Sequence, residues 1–183
     1  MGGIAASLAS FVLSLALANY EEGREMMLWL LGGFDNRGWI HVRLAAPLVL
    51  GGSAWLCLYA RELNALTAGE EAALSMGVDV PRVRQDLLIL STLVTSAAVS
   101  VAGIVSFVGL LIPHLLRLVL GPDHRTLIPA SFLGGASFLV LADLLCRTAP
   151  GSGDLRIGVV TALVGGPFFL LLLVRSRRAS EVL

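Results

Sequence analysis

Long stretches without a charged side chain constrain this chain more than any other feature. Gly2 to Tyr20 is uncharged until Glu21, and Leu44 to Ala60 gives 17 uncharged residues. Leu127 to Ala142 follows the same pattern up to Asp143. Ile157 to Val174 gives 18 more, closed by Arg175, Arg177 and Arg178. A helix rises about 1.5 Å per residue and the hydrocarbon core of a bilayer is about 30 Å thick, so these runs have the length of spanning helices. Only 14% of the residues are charged, against about 25% in an ordinary soluble domain. The expected fold class is all-α, a polytopic bundle of membrane helices over residues 1–183.

One run is ambiguous. Between Asp86 and Arg117 lie 30 residues whose only titratable side chain is His114. As one helix it would be about 45 Å long, too long for one crossing. As a tight hairpin it would start near Arg84, turn at Ala102-Gly103 and end near Leu120. The first reading gives five spans and the second six. All 13 basic residues are Arg, and they divide eight to five between the two faces under either reading, so the positive-inside rule leaves the topology open. Small residues form stripes at Ala130, Gly134 and Gly135 and at Gly158, Ala162, Gly165 and Gly166. Ser7, Ser10 and Ser14 share one helix face. Such stripes let helix backbones approach closely, which marks a bundle and not a single anchor. Gly165-Gly166-Pro167 is expected to bend or open its helix.

The composition also excludes several functions. Net charge is zero, which gives a nucleic-acid partner no electrostatic support. The chain has no Lys, so neither a GxxxxGK[ST] phosphate loop nor Schiff-base chemistry is available. Cys57 and Cys146 lie in apolar runs without metal-ligand spacing and read as core residues. No cofactor and no metal site are expected.

The polar segment 61–86 is patterned. Gly69, Glu70 and Glu71 put acids where a helix dipole favours them, and Gly77 can close that helix in a left-handed cap. The Ala65 to Gly77 segment is expected to be one short helix at the membrane face, with Ala72, Ala73 and Met76 available for packing. Local physics fits an amphipathic connector equally well.

The pattern E-A-A-x-x-x-G, here Glu71-Ala72-Ala73 and Gly77, resembles the coupling motif of ABC-importer permeases. Gly103, Phe107, Gly109, Leu110, Pro113, His114 and Arg117 match the G-x-x-x-F-x-G-L-x-x-P-H-x-x-R signature of the FecCD family, permeases for iron-siderophores, haem and vitamin B12. Asp123-His124-Arg125, Ala142-Asp143 with Arg147, Gly158 to Ala162, and Gly166-Pro167-Phe168-Phe169 are also similar to that family in the same order. Trp29, Gly32, Gly33 and Trp39 resemble its loop between the fifth and sixth helices. The chain departs at Gly153-Asp154-Leu155-Arg156, where the family reads P-x-E-L-P.

The resemblance implies a permease subunit in a bacterial plasma membrane, with six spans corresponding to the last six of the family's ten helices. Both chain ends and a coupling loop at 61–86 would lie in the cytoplasm. The partners implied are a second permease subunit, identical or different, two ATPase subunits, a substrate-binding protein and membrane lipid. ATP hydrolysis would belong to another chain, so this one is not expected to be an enzyme. Gly69, Glu70, Glu71, Ala72, Ala73, Met76 and Gly77 would contact the ATPase, and Arg147 would be offered to carboxylates of the binding protein. On the residues alone, Asp143 and Arg147 at i, i+4 can equally be a structural ion pair. Thr95, Ser96 and Ser100 are candidates for the translocation path, although small polar residues also serve as helix packing. His114 reads as a histidine at a helix end, bonded to backbone freed by Pro113. Two further readings are an inactive or truncated permease fragment and a proton-coupled carrier or enzyme using His114 and Asp143. The latter needs those two side chains to converge.

Overall fold

The computed structural model describes residues 2–16, 19–35, 37–148 and 155–180, and all regular structure among them is helical. Four helices are long and apolar enough to cross a membrane: α3 (Trp39–Leu58), α6 (Val80–Ala102), α8 (His124–Thr148) and α9 (Ile157–Ser180, apolar to Val174). Two apolar helices are shorter, α1 (Gly2–Ala16) and α7 (Val108–Leu120). α2 (Tyr20–Leu30), α4 (Ala60–Thr67) and α5 (Glu70–Ser75) are the polar connectors.

The chain reverses where the hairpin reading puts the turn. α6 stops at Ala102 and Gly103 adopts φ 72°, a conformation that L side chains rarely take. The return arm α7 has only 13 residues, about 20 Å, because Ile104 to Phe107 stay non-helical. About six transmembrane helices were expected, and the described residues hold four helices of spanning length and two shorter apolar ones.

Contacts define two ends of the bundle. At one end α4 and α5 meet the start of α6 and the start of α8. At the other, the loop after α2, the end of α6 and the start of α9 come together. Gly33 N–H donates to Ala102 C=O at 2.8 Å there. Ala142, Cys146 and Ile157 form a small core at this second end, with Phe34, Val105, Leu139 and Val160 packed on it. α7 lies on α8, with the Gly134 position facing Ile112 and Leu116. α3 packs chiefly on α6, where Gly52 receives Val94. α9 runs through Pro167 without interruption, so the helix does not open at the Gly-Gly-Pro sequence. Gly165 is used instead as the seat of the Phe107 ring, which also lies 6.4 Å from that of Phe169.

The accessible surface is 12820 Å², against about 8,500 Å² for a compact soluble monomer of this mass. Leu8, Phe11, Leu88, Leu93, Leu141, Leu163 and Leu171 are all largely exposed. That surface suits lipid and neighbouring helices and is unsuited to water.

Candidate functional site

The patterned segment forms a block of two helices, not one. Gly69 at φ 112° breaks the backbone between α4 and α5, because helix continuation needs a negative φ. Glu70 and Glu71 occupy the first turn of α5. At its end, Val78 N–H donates to Ala73 C=O at 3.1 Å and Gly77 N–H to Leu74 C=O at 2.9 Å, with Gly77 at φ 80°. This is the left-handed cap expected from the sequence. Asp79 then caps α6 by accepting from Arg82 N–H at 3.3 Å.

Polar contacts fasten the block to the bundle. The Tyr59 hydroxyl donates to Asp86 at 2.7 Å, and this hydrogen bond, with burial and the Asp86 charge, raises its pKa above the ordinary phenol value. Arg84 pairs with Glu70 at 3.1 Å. Asn64 Nδ2 donates to Asp123 at 2.6 Å, while its Oδ1 accepts from His124 N–H at 2.9 Å and faces His124 Nδ1 at 2.7 Å. An amide oxygen only accepts, so Nδ1 carries the proton. The Asp123 carboxyl sits below its usual range, chiefly through the Arg125 backbone N–H and then through Asn64. Beneath the block, Ala60, Val80 and Val83 are buried and Ala73 is 0% exposed.

Of the residues expected to meet an ATPase, Ala73 therefore turns into the protein and Ala72 is half-buried. Glu70, Glu71, Met76 and Gly77 are exposed, as is Leu74, which the sequence reading missed. Leu74 and Met76, 55% and 65% exposed, make an apolar step beside two acids.

At the opposite end, Arg147 bonds Asp143 at 2.8 Å and reaches Asp35 at 3.9 Å. Asp35 also pairs with Arg156, whose side chain is only 14% exposed, whereas that of Arg147 is 55% exposed. Neither Asp35 nor Arg156 was a sequence candidate. They are 121 residues apart, and no local pattern joins them. The one available signal was Arg156 itself, a charge at the point of departure from the family pattern. Gly153 and Asp154 of the same stretch lie outside the described residues, as do the side chains of Arg175, Arg177 and Arg178.

Thr95, Ser96 and Ser100 are exposed on α6, away from the Val94 side that meets α3, and Ser100 bonds its own helix at Ala97 C=O. His114 sits in the middle of α7 and not at its end. Its ring lies edge-on to Phe168 at 5.7 Å in place of the expected bond to backbone. Asp143 is 19 residues along α8, about 28 Å from the α4–α5 end, whereas His114 is six residues, about 9 Å, from that end of α7. The two do not converge, which removes the geometry a proton-coupled carrier or enzyme would need. Among the described residues no group of three His, Cys, Asp or Glu side chains could hold a metal.

The sequence profile of the FecCD transport family matches residues 1–175. The chain belongs to the FecCD transport family. Its FecCD relatives include the cobalamin import system permease protein BtuC of Halobacterium salinarum, 48% identical over 94% of this chain and 47% of the relative. The hemin transport system permease protein HmuU of Yersinia pestis is 39% identical over 88% of this chain and 48% of its own length. The Fe(3+) dicitrate transport system permease protein FecD of Escherichia coli is 38% identical over 95% of this chain and 55% of its own. A solved structure described as a metal-chelate type ABC transporter in an inward-facing conformation superposes with a TM-score of 0.85 at 29% identity, over 94% of this chain and 56% of that one. The chain thus spans about half the length of the curated relatives it matches.

Proposed function

We propose that this chain forms part of the permease of an ABC importer in a bacterial plasma membrane, carrying a corrinoid, haem or a ferric chelate. It works with a second permease subunit, two ATPase subunits in the cytoplasm and a substrate-binding protein outside. The α4–α5 end faces the cytoplasm and the Asp35–Arg147–Arg156 end faces the binding protein. Thr95, Ser96 and Ser100 line the substrate path or a helix partner, since a hydroxyl-bearing face fits either better than bare lipid.

One observation carries the coupling role. The α4–α5 block is fixed from within at Ala73, Tyr59, Asn64 and Glu70, yet it leaves Glu71, Leu74 and Met76 unpacked on its outer side. A rigid segment with a free apolar and acidic face is what a docking ATPase needs. Nothing lies within 4 Å of a Cβ built at Gly77, so Gly77→Val acts through its positive φ alone and costs about 1 kcal/mol or more. Ala72→Arg puts a bulky charge beside the contact. Both variants are expected to lose the ATPase on co-purification of the full-length permease and to lose substrate-stimulated ATP hydrolysis, with membrane insertion retained. Wild-type recovery of the ATPase with both variants would return the block to a surface connector.

A further inference from the structure

Tyr59–Asp86 and Glu70–Arg84 tie the α4–α5 block only to α6, its neighbour along the chain. The polar tie to the α7–α8 pair is Asn64, which bridges to residues 59 and 60 positions away. Its carboxamide works as a fork. The N–H side holds the Asp123 carboxylate, and the oxygen takes both the backbone and ring N–H of His124. Asp123 is the last residue of the turn before α8, and it also accepts from Arg125 N–H at 3.0 Å. The grip therefore falls on the first turn of a 25-residue helix. α7 packs closely on α8, because Gly134 lets Ile112 and Leu116 approach the α8 backbone. α7 in turn leads to Phe107, seated on Gly165 of α9.

The geometry points to Asn64 as the positioning residue that carries a displacement of the α4–α5 block to α7, α8 and, through Phe107, α9. This rests on the coupling reading of the block. Chain continuity passes such a displacement first to α3 and α6, the helices that flank the block, whereas α8 meets the block through packing on α4 and through the Asn64 fork. An apolar contact would slide. A fork with three short hydrogen bonds fixes both direction and register, because a buried or half-buried donor that loses its partner is costly.

The test uses the full-length permease with its ATPase and binding protein in proteoliposomes. The probe is whichever of cobalamin, haemin and ferric dicitrate the wild-type complex takes up. The quantity read is substrate transported per ATP hydrolysed. Asn64→Ala is expected to keep the ATPase and its stimulated hydrolysis while transport per ATP falls at least about fivefold, the factor for losing just one of its three hydrogen bonds. Asn64→Asp sets two carboxylates against each other and lowers the ratio as well. Wild-type ratios in both variants would overturn the inference. So would a parallel fall of transport and hydrolysis, which marks a merely structural contact. If Ala72→Arg and Gly77→Val also retain the ATPase, the coupling reading itself fails; if they lose it, only the role of Asn64 does.

Discussion

At Gly103 and Gly158 the chain permits approaches that no larger residue allows. A Cβ at Gly158 would fall on the Leu31 carbonyl and within 2.9 Å of the Ile104 carbonyl oxygen. One at Gly103 would fall on the Trp29 carbonyl, and the backbone there is left-handed as well. Both belong to the junction that closes the end opposite α4 and α5. Gly158→Val and Gly103→Ala should each lower stability by about 1–3 kcal/mol, the usual cost of overpacking. Gly109, with nothing within 4 Å of its built Cβ, provides the control, and Gly109→Ala should leave stability unchanged or raise it slightly. Thermal midpoints of the purified protein in detergent measure the difference. Equal midpoints for all three would mean that the junction can open at no cost.

Among the elements, the polar ends are informative because single residues set their course. Gly69 divides one expected helix into α4 and α5, and Gly77 ends the second. At the other end, Arg147 serves two partners, Asp143 on its own helix and Asp35 on the α2–α3 loop. Asp35 keeps Arg156 if Arg147 leaves it, and Arg147 is the more exposed of the two arginines, so it is the one proposed to be offered outward. Arg147→Ala should weaken docking of the binding protein, and Arg147→Glu should weaken it further through like-charge repulsion. The effect should shrink as salt rises, since half-exposed pairs are screened. Titration of the binding protein against the reconstituted permease at two ionic strengths reads both. Unchanged affinity together with a lower melting temperature would leave Arg147 as a structural partner of Asp143.

For the whole molecule, the surface excess says that these helices are built to be covered. α1 contacts little besides α2, and the windows of α3 and α6 that could span a membrane are almost wholly unburied. Lipid suits such a surface, and under the proposed function further permease helices would cover the rest. In the proposed orientation the α2–α3 loop and the α4–α5 block, which α3 separates, lie on opposite sides of the membrane. Gly38 has open space around its built Cβ, and Ser75 is exposed. In cells, Gly38→Cys should react with an impermeant maleimide from outside, and Ser75→Cys should react only after permeabilisation. The reverse pattern would invert the topology and, with it, the assignment of the two candidate surfaces.

Apolar runs and cap residues determined much of this protein by themselves. The uncharged lengths dictate an all-helical membrane bundle, because lipid offers the backbone no other partner at those lengths. The turn at Gly103, the cap at Gly77 and the small-residue stripes of α8 and α9 follow from local backbone rules and were legible for that reason. Long-range placement was not. The return helix α7 is short because Ile104 to Phe107 are drawn out against Gly158 and Gly165, a fit that exists only once α9 is in position. Ala73 is fully buried and Ala72 only half-buried, although the motif alone leaves the two equivalent. The Asp35–Arg156 pair and the Asn64 fork join residues 121 and about 60 positions apart, where no periodicity reaches and only packing decides the partner.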